Sequence, residues 1–134
     1  MKNLFWVLIL CSILIVSCDK SVDVVNETND DISIVDLNDL SDSTYNNIEF
    51  YINNPTYKQS TGPLYGPASS TRMRNYINRG PEKRLYLFFF KTDTLKKYKG
   101  IQFMEYMMKE RKYFKSTQYS EEQLKNADWK IRIN

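Results

Sequence analysis

The chain has 134 residues, no histidine, two cysteines and a formal charge of +3 at neutral pH. That length accommodates one small domain. Without histidine the commonest general base, the usual serine-hydrolase triad and the commonest metal ligand are gone, so any chemistry would rest on carboxylates, Tyr, Lys or Ser.

Lys2 gives a short basic start, and residues 4–16 are apolar except for Ser12. As a helix that run covers roughly 20 Å against a hydrocarbon core of about 30 Å, too short to span but right for the core of a signal peptide. The small-residue pattern of ordinary secretory cleavage is missing. Ile15-Val16-Ser17-Cys18 stands in its place and resembles the lipobox of bacterial lipoproteins, with Ile15 where Leu is usual. The resemblance implies a diacylglyceryl group on the Cys18 sulfur, cleavage after Ser17, and acylation of the freed amine. The partner is then the membrane, through lipid at Cys18, and the location is the cell envelope, at the outer membrane. The competing reading is an uncleaved anchor with Cys18 as a bystander. With Cys11 discarded and Cys18 acylated, no thiol is left for a disulfide, a zinc site or a nucleophile. No cofactor, metal or catalytic residue is expected.

Charge is split along the chain. Residues 18–47 hold eight acidic side chains against Lys20, and residues 48–134 hold seventeen Lys and Arg against eight acids. A polar, acidic stretch poor in large apolar groups cannot offset its ordering entropy. The expected organisation is a signal peptide over 1–17, an acidic tether over 18–46 and a basic globular domain over 47–134. Within the tether, residues 32–35 read as a short strand. Asp36, Asp39 and Asp42 lack the glycine and distal glutamate of a calcium loop. Asp42-Ser43-Thr44 resembles the O-glycosylation signal of Bacteroides-like bacteria, making Ser43 a candidate site. Asp93-Thr94-Leu95 matches too, although Thr94 reads as capping a turn.

In the domain, Ile48, Phe50 and Ile52 alternate with polar neighbours, which predicts a strand over 48–53. Residues 54–71 carry three prolines and two glycines, a long loop that is either a binding loop or a mobile surface excursion. Alternation predicts another strand over 72–78, closed by the Gly80-Pro81 turn. Residues 85–90, Leu-Tyr-Leu-Phe-Phe-Phe, predict a central strand covered on both faces. Methionines at helical spacing predict a helix over 101–112, with Glu105, Lys109 and Glu110 toward water. A strand over 113–119, a capping box at Ser120–Gln123, a short helix stopping near Ala127 and a strand over 129–133 complete the chain. The fold class is α+β, a small antiparallel sheet of about five strands packed on one main helix.

The order of an apolar strand, Asp93-Thr94-Leu95-Lys96-Lys97-Tyr98, a helix, Lys112-Tyr113-Phe114-Lys115, Ser120-Glu121-Glu122-Gln123-Leu124 and a final Trp129-containing strand resembles a group of small lipoproteins of Bacteroides-like bacteria. Lys99-Gly100 stand where that group has Ser-Trp. The resemblance spans about residues 46–134 and implies a fold, not an activity.

Function is therefore expected to be non-enzymatic: a lipid-anchored binding or structural module. Arg72, Arg74, Arg79, Lys83 and Arg84 form the densest cationic cluster, a candidate patch for an anionic glycan or an envelope protein, or simply a solvated face. No nucleic-acid recognition motif is present. The alternative is a glycan-processing enzyme using two carboxylates, drawn from Glu49, Glu82, Asp93, Glu105 and Glu110.

Overall fold

Strand β4 (Leu85–Lys91) organises the molecule. Its alternation sends Leu85, Leu87 and Phe89 into one apolar core and Tyr86 and Phe90 into a second, as expected for a strand covered on both faces. The computed structural model describes residues 19–42, 44–99 and 104–134. Around β4 stand β1 (Asp23–Asn26), β2 (Ile32–Leu37), α1 (Ile48–Asn53), β3 (Ser60–Pro63), α2 (Ser70–Arg79), α3 (Thr92–Lys97), α4 (Met104–Lys109), β5 (Lys115–Tyr119), α5 (Glu121–Asn126) and β6 (Lys130–Ile133).

The α+β class holds, with the strands divided between two sheets rather than gathered in one. One sheet has the order β2-β4-β5 and is antiparallel throughout, pairing Val35 with Phe88 and Leu87 with Thr117. The other has the order β3-β1-β6, and its β1–β6 pairing, Val24 with Ile131, is parallel. Met73 and Ile77 of α2 share the core of Val24, Ile131 and Phe89. Ile48 and Tyr51 of α1, Leu95 of α3, and Met104 and Met107 of α4 share the core of Val35 and Phe90. Each such side chain contributes about 1.5–3 kcal/mol through burial.

The acidic tether is corrected: residues 23–26 and 32–37 are strands, and Val22, Val24, Ile32 and Val35 are fully buried. The short β-branched residues alternate with polar ones, so the segment supplies an apolar face even though its mean composition is acidic. Apart from Asp36, its acids fall at or near the surface, where two of them meet cations of the later chain. Asp30 pairs with Lys91 at 2.8 Å and Glu27 with Arg132 at 2.7 Å. Part of the charge split is thus neutralised within one domain.

Two predicted strands are helices. Over six residues a period of two and a period of 3.6 fit equally well, and the caps decide. The Asn47 side chain accepts the Phe50 amide at the start of α1, burying Ile48 and Tyr51. The Ser69 hydroxyl accepts the Arg72 amide at the start of α2, and Ser70, Met73 and Ile77 line its inner face. The predicted loop over 54–71 contains β3, which extends the β1 sheet. Thr94 does not cap a turn; it lies within α3, which follows β4 directly. The described part of the methionine helix is Met104–Lys109, and its expected start at Gly100 and Ile101 lies outside the described residues. The Ser120–Gln123 capping box is present with both reciprocal bonds. Trp129, Ile131 and Ile133 point inward while Lys130 and Arg132 are exposed, as the alternation predicts.

Candidate functional site

A wide groove follows from how β2 ends. Beyond Leu37 the chain leaves the sheet, and Leu40 and Tyr45 form one wall of a groove of about 480 Å³. Phe88 of β4 is the floor, Glu105, Met108 and Lys109 of α4 the opposite wall, and Arg111 and Tyr113 close the end. Phe88 is the one apolar residue of its strand that no layer fully covers. Tyr113 packs edge-on against both Phe88, at 5.0 Å between centroids, and Phe90, at 6.0 Å. Such pairs hold the rings in fixed orientations. Leu40 is 56% exposed at the rim. Partial burial, with Glu105 and Asp42 adding repulsion, pushes the Tyr45 phenol above its ordinary range, so it stays a neutral donor. The groove offers aromatic surface, one carboxylate and two cations, with a single carboxylate among its lining residues. That inventory suits recognition.

The predicted cationic cluster is only partly assembled. Arg72 and Arg79 lie two turns apart on the outward side of α2. Arg74 lies on its flank and is engaged by Glu121 at 2.7 Å. Lys83 and Arg84 sit in the turn before β4, with Glu82 beside them accepting a hydrogen bond from the Tyr86 hydroxyl. The structure thus divides one sequence cluster between a helix face and a turn. Ser17, Cys18 and Ser43 lie outside the described residues.

The carboxylates named for catalysis are dispersed. Glu49 faces Lys99 at 3.9 Å, Glu105 lines the groove, and Glu110 is exposed after α4. Asp93 shares a small polar cleft with Asp30, Asp31, Lys58 and Lys91. Each acid there is already engaged: Asp30 with Lys91, Asp31 with the Lys58 amide, and Asp93 with Lys96. The Lys96 ammonium holds the Asp93 carboxyl below its usual range, the wrong direction for a general acid.

Sequence reasoning weighed Asp36 only as a calcium-loop acid and set it aside. It occupies an inward position of β2, after Ile32 and Ile34, and burial pushes its carboxyl up to about 6. The signal was available as an acid at the third step of an apolar alternation. The groove residues Tyr45, Arg111 and Tyr113 carried no such signal, because they converge only through the turns after β2 and α4.

Among the described residues no three His, Cys, Asp or Glu side chains group to hold a metal, and no helix is long and apolar enough to cross a membrane. No known family model, curated protein or solved structure matches the chain.

Proposed function

We propose that the chain is a lipid-anchored protein of the bacterial cell envelope, cleaved after Ser17 and acylated on Cys18, whose domain is a non-enzymatic binding module. The observation that carries the binding role is the groove floored by Phe88 and walled by Tyr45 and Tyr113, with Lys109 and Arg111 at its edge. Aromatic faces accept the C–H side of sugar rings, and two cations beside one carboxylate favour a ligand with spaced negative charge. The ligand class is an anionic glycan of the envelope. The dispersal and prior engagement of the carboxylates support binding over hydrolysis, which needs two of them facing one bond.

The test is retention on immobilised polygalacturonate against a neutral glucan. The protein should be retained by the anionic polymer alone, and retention should weaken with salt. Tyr113→Ala and Arg111→Ala should each lower it several-fold, while Arg79→Ala should not. Absence of retention, or retention indifferent to the groove substitutions, overturns the glycan reading. Lipidation is tested separately, by the mass of the native protein and of Cys18→Ala.

A further inference from the structure

The residue after Cys18 is not the start of a spacer. The Asp19 carboxylate accepts the Thr71 amide and the Ser70 hydroxyl, both at 2.8 Å, at the start of α2. Lys20 exchanges bonds with Ser70, its amide donating to the hydroxyl and its carbonyl accepting the Ser70 amide at 2.7 Å. Its ammonium also pairs with Asp128. Val22 then bridges Ala68 and Leu64 through its own backbone, and the chain enters β1. Seven hydrogen bonds or ion contacts therefore tie residues 19–22 to the body of the domain.

Successive Cα atoms stand about 3.8 Å apart, so the residue before Asp19 is rooted one such step from the side chain that caps α2. On the reading that Cys18 carries the lipid, we infer that the domain is seated directly on the bilayer surface by the end that holds Asp19, Lys20, Ser70–Arg72 and Asp128, with phospholipid headgroups as its partner. Arg72, exposed in the first turn of α2, is the member of the cationic cluster nearest the anchor and meets anionic headgroups. Arg79, two turns on, stands about 10 Å farther along α2. The opposite end is set by the same strands. From Asp19 the extended run to Asn26 covers about 20 Å. There Asn26 holds the carbonyls of Thr56 and Tyr57, and Tyr57 and Lys58 are exposed. These residues face away from the membrane.

The mature chain has no thiol outside Cys18, so one introduced cysteine is a unique label. Full-length Thr71→Cys and Lys58→Cys, made in a lipidating bacterial host, are labelled with a fluorophore and reconstituted into phosphatidylcholine–phosphatidylglycerol vesicles containing headgroup-nitroxide lipid. Quenching at position 71 should exceed that at position 58 by at least three-fold. Twelve Gly/Ser residues inserted between Cys18 and Asp19 should erase the difference. Equal quenching at the two sites in lipidated, vesicle-bound protein overturns the seating alone, as does a difference that survives the spacer. A mature protein whose mass shows no lipid on Cys18 overturns the anchor reading, and the seating with it.

Discussion

Tyr76 reaches from α2 to donate its hydroxyl to the backbone carbonyl of Asp36 at 3.3 Å, closing the last position on the Ile32–Ile34 face of β2. The Asp36 carboxyl beside it loses solvent without gaining a cation. Its side-chain oxygens also lie 3.4 Å from where a Cβ on Gly66 would stand, at a φ of +135° that only glycine adopts easily. The molecule therefore stores a penalty against ionising one group.

That penalty has a sign. The folded Asp36 titrates near 6 against an ordinary 3.8, so the folded state binds the proton more tightly. The stabilising effect is full below about pH 4 and is lost as pH rises through 6. Asp36→Asn should therefore gain up to about 3 kcal/mol over the native chain at pH 7 and little at pH 4. Urea midpoints at the two pH values measure the gap; an equal effect at both would refute it.

Val24 separates the strand from the tether. It is fully buried between β3 and β6, and Val24→Ala should cost about 2 kcal/mol of unfolding free energy through lost burial and a residual cavity. In a tether the same change would leave the denaturation midpoint unmoved.

The capping box at the start of α5 gives a local prediction. Ser120→Ala removes the acceptor of the Gln123 amide and should lower stability by about 1 kcal/mol. Ser120→Asp, which restores an acceptor, should recover most of it.

Adjacent residues of β4 differ in what lies over them. Phe89 is 1% exposed in the core, and Phe89→Ala should cost about 3–5 kcal/mol. Phe88 is half-buried at the groove floor, so Phe88→Ala should cost clearly less while impairing glycan retention. Paired thermal melts and binding assays distinguish the two roles.

The legible parts of the sequence were those with one dominant signal. The six apolar residues of β4 admit no amphipathic alternative, Ser120–Gln123 spells its own cap, and the Lys130–Ile133 alternation has only one inward set. Over residues 48–53 and 72–78 the alternation of apolar side chains fits a strand as well as a helix, and the deciding signal lies just before each run, in the capping residues Asn47 and Ser69. The segment holding β1 was read from its charge, although Val22 and Val24 already alternated. Its acids look repulsive in one dimension; Lys91 and Arg132, which neutralise Asp30 and Glu27, come 61 and 105 positions later in the chain and meet them only through the sheets. The groove is less legible still, since its residues converge only through the turns after β2 and α4.

The parallel register of Val24 with Ile131 joins the earliest strand of the domain to the latest. Strand β1 keeps one edge open until β6 pairs with it. Long-range pairing of this kind folds slowly. Closure of this sheet therefore waits on the whole span from Asp23 to Ile133, and its stability rises in one step when the two strands are brought together.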